Sequence, residues 1–372
     1  MKILHTADLH LDSAFCTSGE TLAHARRERQ REILKKIFDL AVSQSCDMIL
    51  IAGDLLDTSY VTPETRRLCL SLFESFSKPI VVAAGNHDPL VDGSFWKSDL
   101  PKNVYVFDSA SLSYFEFPDL CVAVGGYSFT SAALGTSPLE NAPARQKTWE
   151  KLLLLCAHAD LNSPTSRYAP VMSSDIHRLG FDYAALGHVH NIPAVTDEYI
   201  RYCGFAEGRS FDELGEGGVL IIEDTDGGIT VTRHTVSEYE YLYEELDVSG
   251  ACTPEEITEA IDRRLSKADK DGKVFLRLEL CGAITSDTLP DLCELERVER
   301  AGICSLQLID STLSLPDKSF LEKDTSIRGE FYRSLRSELY SEDASQRRVA
   351  LRALRIGLAA IDGKDFTQGG TV

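Results

Sequence analysis

An α/β fold, a sandwich of sheets with helices outside, is what the sequence predicts. Three observations predict it. The first 235 residues alternate short apolar runs with helix-period patterns, as layered α/β proteins do. Many of the apolar runs have strand length and strand composition. Near residue 226 the turn signal Asp226-Gly227-Gly228 joins two alternating runs, as in a hairpin.

The elements follow in order. Residues 2–7 read as a strand. Residues 25–43 read as a helix, with Ile33, Ile37, Leu40 and Ala41 at helical spacing. A strand at 47–52 is rich in Ile and Leu. A helix at 63–76 begins with Pro63 behind the candidate N-cap Thr62. Further strands are expected at 79–84, 104–107, 112–117, 121–125, 152–158 and 183–186. Runs at 199–203, 219–223 and 229–234 read as antiparallel pairs joined by turns.

Residues 236–310 read as a small β-α-β-α-β unit. It has strands at 239–248, 273–280 and 305–310. A helix from Thr253 to about 268 has Glu256 in the capping-box position, and a second helix spans 288–301. Residues 319–361 read as helical, with Phe331, Leu335 and Leu339 on one stripe and Leu351, Leu354 and Leu358 on another, opposite Arg348, Arg352 and Arg355. Such a helix either packs on its own domain or docks a partner. The expected organisation is therefore 1–235, 236–310 and 311–372.

Composition excludes several classes. At 43% hydrophobic residues the chain can bury a sizeable core, and nothing suggests disorder or a disulfide scaffold. None of the ten cysteines stands in C-x-x-C spacing, so they read as reduced core residues of a cytoplasmic protein. The N-terminus lacks the pattern of a signal peptide, and no apolar run approaches bilayer length. The formal charge is −20, so the chain lacks the broad positive face of a protein that grips nucleic acid alone. Arg26, Arg27, Arg29 and Arg31 are the local exception, and are either phosphate contacts or a solvated helix face.

Five stretches carry chemistry: Asp8-Leu9-His10, Gly53-Asp54, Gly85-Asn86-His87-Asp88, Ala157-His158-Ala159-Asp160 and Gly187-His188-Val189-His190. Each follows an apolar strand, and ligands gather at the carboxyl ends of strands in α/β sheets. In extended chain, residues i and i+2 of D-x-H and H-x-H point the same way. The candidate ligands Asp8, His10, Asp54, Asn86, His158, His188 and His190 offer carboxylate, amide oxygen and imidazole. That set suits Mn²⁺, Fe²⁺ or Zn²⁺ at open sites. Seven ligands exceed the needs of one ion. Two ions about 3.5–4 Å apart and sharing a carboxylate would bind phosphate oxygens, activate a bridging water and steady an in-line displacement. His87 is placed to protonate the leaving alkoxide. His5 is a candidate to orient the first ligand from behind, and Asp88 and Asp160 to accept from neighbouring imidazoles.

The motifs D-x-H, G-D, G-N-H-D, H and G-H-x-H occur here in the order of the calcineurin-like metallophosphoesterase superfamily, which residues 1–205 resemble. The resemblance implies a four-layer α/β/β/α sandwich. It implies that Asp8, His10, Asp54 and His190 hold one ion, that Asp54, Asn86, His158 and His188 hold the other, and that His87 is the general acid.

A narrower resemblance is to DNA repair exonucleases of the SbcD type, in particular a YhaO-like branch. It rests on residues 5–12, on Gly53-Asp54-Leu55-Leu56-Asp57-Thr58, on Gly85-Asn86-His87-Asp88-Pro89-Leu90 and on residues 202–211. The last stretch resembles Y-P-G-x-P-Q-G-R-S, from which Cys203, Ala206 and Glu207 depart. This resemblance implies a manganese-dependent nuclease with Arg209 near the substrate and residues 236–310 as a capping domain. It also implies C-terminal helices that dock an SbcC-like coiled-coil ATPase, and it is compatible with a homodimer. A small-molecule or cyclic-nucleotide phosphodiesterase on the same centre, or a non-catalytic scaffold of the same fold, are the alternatives.

Overall fold

The structure is a computed structural model. It describes residues 1–15, 20–58, 61–191, 198–249, 251, 253–266, 273–285, 289–298, 300, 302–315, 322–361 and 363. The chain divides into two compact units, Met1–Glu240 and Tyr241–Val372.

The first unit opens with β1 (Lys2–Thr6), α1 (Glu20–Ser43), β2 (Met48–Ala52), α2 (Pro63–Ser75), β3 (Ile80–Ala83) and β4 (Val104–Val106). It continues through β5 (Ser113–Phe117), β6 (Val122–Gly126), β7 (Leu152–His158), β8 (Asp160–Leu161), β9 (Pro170–Val171), α3 (Ser173–Leu179), β10 (Tyr183–Gly187) and β11 (Ile200–Tyr202). The hairpin β12 (Gly218–Thr225) and β13 (Gly228–Thr235) closes it. One sheet has the order β13-β12-β1-β2-β3-β4 and the other β11-β10-β7-β6-β5.

Strand periodicity makes the layers. Ile49 and Ile51 of β2 face outward to Ile33, Leu34, Ile37 and Phe73 of α1 and α2. Met48, Leu50 and Ala52 face inward to Leu154, Cys156 and Ala185 of the second sheet, because alternate residues point to opposite faces. Leu153, Leu155, Ala184 and Leu186 then cover Ile176 and Leu179 of α3. The result is the expected helix–sheet–sheet–helix sandwich. Thr62 caps α2 as expected, its Oγ1 accepting from Thr65 N.

His5 ties the two sheets together. It is fully buried. Its Nε2 lies 3.2 Å from the Leu186 carbonyl and its Nδ1 lies 3.1 Å from the Tyr183 hydroxyl. A carbonyl only accepts, so Nε2 carries the proton and Tyr183 donates to Nδ1. Burial drives the imidazole pKa down to about 3, against the raising effect of the Leu186 bond. His5 is therefore a neutral cross-sheet link, not an orienter of Asp8.

One pairing differs from expectation. Residues 200–202 pair in parallel with β10, Ala184 opposite Ile200, not in an antiparallel hairpin. A parallel neighbour needs a crossover connection, and a local apolar pattern carries no trace of the chain's path between strands.

The second unit contains β14 (Glu240–Asp247), α4 (Pro254–Leu265), β15 (Val274–Cys281), β16 (Ala283–Thr285), α5 (Leu292–Glu296), β17 (Ile303–Asp310) and β18 (Leu313–Leu315). The helices α6 (Ile327–Ser334), α7 (Arg336–Leu339) and α8 (Ala344–Ile361) complete it. Strands β14, β15 and β17 form one sheet in that order. Ile257, Ile261 and Leu265 of α4 bury against Leu276, Leu278 and Leu280. Thr253 caps α4 through Glu256 N. The helix expected over 288–301 is confined to α5; residues 288, 299 and 301, like 267 and 268 of the expected α4, lie outside the described residues. A second, separate core joins Tyr332, Leu339, Leu354 and Leu358, so both leucine-rich stripes meet within this unit. The side chains of Arg348 and Arg355 lie outside the described residues.

Candidate metal centre

The five motifs converge in the first unit, at the carboxyl ends of β1, β2, β3, β7 and β10. The local backbone is not the extended chain expected from D-x-H spacing. β1 ends at Thr6, and Asp8 and His10 take left-handed φ values of 53° and 47°, as does Asp54 at 48°. Such residues cost about 1–3 kcal/mol each and cluster at functional sites. Asp8 N donates to Gly53 O and His10 N to Asp54 O, so the two loops hold each other in this conformation. Gly53, at φ 94°, lies directly against the His158 ring, where a Cβ would overlap Nδ1.

Three groups of side chains bring their ligand atoms within 4.8 Å of one another: Asp8, His10 and His190; Asp8, Asp54 and His158; and His10, Asp54 and His87. His10 Nε2 lies 3.2 Å from His190 Nε2 and 3.8 Å from Asp54 Oδ2. His190 Nε2 lies 3.7 Å from Asp8 Oδ1. His158 donates Nδ1–H to the Ala52 carbonyl at 3.0 Å, which leaves Nε2 facing Asn86 Oδ1 at 2.9 Å and Asp54 Oδ2 at 3.3 Å. Asp54 thus stands between the His10 group and the His158–Asn86 pair.

The placement of His188 is different. Its ring sits 5.2 Å from that of His158 and 5.0 Å from that of Tyr168. Its backbone N–H donates to Asp8 at 3.0–3.1 Å. Among the described residues its imidazole joins none of the three groups.

Electrostatics mark the site. Burial raises Asp8 to about 6 against the pull of His158 and His190. Burial also opposes ionisation of Asp54, but His158, with His10 and His87 behind it, holds it well below the usual carboxylate range. Burial works against a charge on His158, yet Asp54 and then Asp8 outweigh it and raise its pKa to about 9. Buried charges are kept in pairs, and here carboxylates and imidazoles converge closely enough that an ion could sit among them. This donor set of carboxylate, imidazole and amide oxygen fits divalent ions.

His87 stands at the rim, its side chain 44% exposed, with Nδ1 3.3 Å from Asp57 Oδ1. The Asp57 bond, against partial burial, raises its pKa. Asp88 does not accept from an imidazole. Its two oxygens accept from Gly85 N and Leu56 N, which clamps the Asn86 loop to the Asp54 loop. Burial and then the neighbouring His158 lower the His188 pKa to about 4, with the Asp160 charge opposing them.

The arginines of α1 each meet protein acceptors. Arg26 donates to the Gly208 and Arg209 carbonyls, Arg27 to Ala14 O, Arg29 pairs with Glu32 and Glu238, and Arg31 pairs with Asp12, Glu28 and Glu64. Arg209 pairs with Glu213 and lies 3.5 Å from Asp57. Glu207, which departs from the branch pattern, accepts from Glu238 N and Tyr239 N and braces this loop.

Sequence reasoning gave no role to Asp57 or Glu213, although both touch candidate ligands. Asp57 was visible in the Gly53–Thr58 stretch. Glu213 is remote from His190 in sequence, and only the fold brings them together.

Comparison with known proteins gives the chain's family. The calcineurin-like phosphoesterase profile matches residues 1–191. An uncharacterized metallophosphoesterase, YhaO of Bacillus subtilis, is 28% identical over 298 residues, covering 76% of this chain and 72% of its own length. The SbcD subunit of the SbcCD nuclease of Staphylococcus epidermidis is 28% identical over 245 residues, covering 58% of this chain and 64% of its own. No described helix is long and apolar enough to cross a membrane. With the layered fold, the convergent Asp and His groups and the profile match over more than half its length, the chain belongs to the calcineurin-like phosphoesterase family of metal-dependent hydrolases.

Proposed function

We propose that this chain is a two-metal phosphodiesterase that cleaves DNA as the nuclease subunit of a cytoplasmic repair complex. One observation carries the reaction class: Asp54 is shared between the His10 group and the His158–Asn86 pair. Asp8, His10, Asp54 and His190 would hold one ion, and Asp54, Asn86, His158 and His188 the other. Manganese is our candidate for both. Bound there, the ions supply Lewis acidity and an activated water.

The chain's own groups do the rest. The clamp by Asp88 and the paired loops fix the ligands before substrate arrives, so little reorganisation is left for the reaction. His87, at the rim with its pKa raised by its contact with Asp57, is the group placed to donate a proton to the leaving oxygen. Arg209 lies 3.5 Å from the Asp57 oxygen that His87 also contacts.

One relative is by name a subunit of the SbcCD nuclease, which supports a coiled-coil ATPase partner docked on α6–α8, with the sheet of β14, β15 and β17 as the cap. A second reading, hydrolysis of a small phosphodiester, is favoured by the arginines of α1, whose donors are held by protein acceptors.

The test is hydrolysis by the purified chain with Mn²⁺ of single-stranded DNA, double-stranded DNA and bis(p-nitrophenyl) phosphate. The proposal expects DNA cleavage, lost in His87→Ala with metal retained. Turnover of the small diester alone would establish the second reading instead.

A further inference from the structure

Two carboxylates stand behind the histidines of the first group. Asp57 Oδ1 lies 3.1 Å from His10 Nδ1, and Glu213 Oε1 lies 2.8 Å from His190 Nδ1. An ionised carboxylate only accepts, so each Nδ1 carries a proton, and in the neutral imidazole each Nε2 keeps its lone pair. Those two lone pairs face each other at 3.2 Å, with Asp8 and Asp54 oxygens beside them. Arg209 Nη2 is also 3.3 Å from His190 Nδ1. The shorter carboxylate contact decides the tautomer, because a bare Nδ1 lone pair would face a carboxylate at 2.8 Å.

Glu213 is itself firmly held. Its side chain is only 4% exposed. Oε2 accepts from Arg209 N at 2.7 Å, and Oε1 accepts from Arg209 Nε at 2.9 Å and Nη2 at 2.6 Å. The other arm of the same guanidinium points to Asp57 at 3.5 Å. Arg26 fixes the Arg209 carbonyl at 2.8 Å. One guanidinium thus links the two carboxylates that set the tautomers of two facing histidines.

We propose that Glu213 is a positioning residue for the first ion: it holds His190 with Nε2 aimed at the His10 partner atom, and Arg209 couples it to Asp57, which does the same for His10. The proposal rests on the metal-centre reading above. A carboxylate behind a ligating imidazole fixes its orientation and raises its basicity, and loss of such a partner costs about 10–100-fold in metal affinity.

The experiment is calorimetric titration of the full chain with Mn²⁺ alone, with bound ions counted by electron paramagnetic resonance. The wild type should bind two ions. Glu213→Gln keeps the side-chain shape and removes the charge. It should weaken one ion by about 10–100-fold and leave the other unchanged, and Asp57→Asn should weaken that same ion. Two wild-type affinities in Glu213→Gln would overturn the proposal. Loss of both ions together would also overturn it, since Glu213 would then be supporting the loop and not His190. A wild type that binds no Mn²⁺ would instead overturn the metal-centre reading, and this proposal with it.

Discussion

His5→Phe tests the link between the sheets, and its cost should depend on pH. Phenylalanine fills the ring's space but removes both bonds of a fully buried group. The Leu186 carbonyl keeps a second partner, Cys203 N at 3.4 Å, so its loss is modest. The buried Tyr183 hydroxyl loses its acceptor. Together these should cost about 2–4 kcal/mol at pH 7.5, since an unsatisfied buried group costs about 1–3 kcal/mol and an ordinary hydrogen bond about 1.

The pH dependence has a definite sign. The folded pKa of about 3 lies below the ordinary 6.5. Below pH 6.5 the unfolded chain takes up a proton that the folded chain refuses, so His5 lowers stability progressively from pH 6.5 down to about 3. Each pH unit is worth about 1.4 kcal/mol. At pH 5 the penalty in wild type is about 2 kcal/mol, and the deficit of His5→Phe should shrink by that amount. Both tryptophans, Trp96 and Trp149, lie in the first unit, so urea unfolding followed by their fluorescence reports this unit. A deficit that is equal at pH 7.5 and pH 5 would refute the argument.

Three further outcomes are expected. Gly85→Ala places a Cβ against Asp54 Oδ1 and its backbone N, so it should lower Mn²⁺ affinity, measured by calorimetry, more than it lowers the melting temperature. Asn103→Ala removes the amide that donates to Phe73 O and Phe76 O at the end of α2. It should cost about 1–3 kcal/mol in urea unfolding with metal binding unchanged. His87→Ala should reduce hydrolysis of bis(p-nitrophenyl) phosphate only mildly, because nitrophenolate leaves without a proton, and reduce cleavage of an alkyl-leaving diester by about 10²–10⁴-fold; equal losses on both substrates would count against the acid role.

The convergence of the five motifs was legible because the candidate ligands sit in short motifs at strand ends, where both the apolar run and the polar stop are local signals. β7 illustrates this: its seven residues are all buried and end on His158, as the run of leucines predicts. The left-handed backbone at Asp8, His10 and Asp54 was not legible. It arises from mutual hydrogen bonding of loops far apart in sequence, and spacing alone suggested extended chain. The carboxylates behind the histidines were hidden for the same reason, since Glu213 acquires meaning only when its loop folds beside His190. The arginines of α1 read in sequence as either phosphate contacts or a solvated helix face, yet some of their acceptors, such as Gly208 and Glu238, lie far along the chain in the loops that close the first unit. The short helix α3 carries too few turns to show a period.

The most direct test of the account is the anomalous scattering of crystals of the full chain grown with Mn²⁺. Two ions should appear, both in contact with Asp54, one also with His10 and His190 and the other with Asn86 and His158. A single ion, or two ions that do not share Asp54, would contradict it.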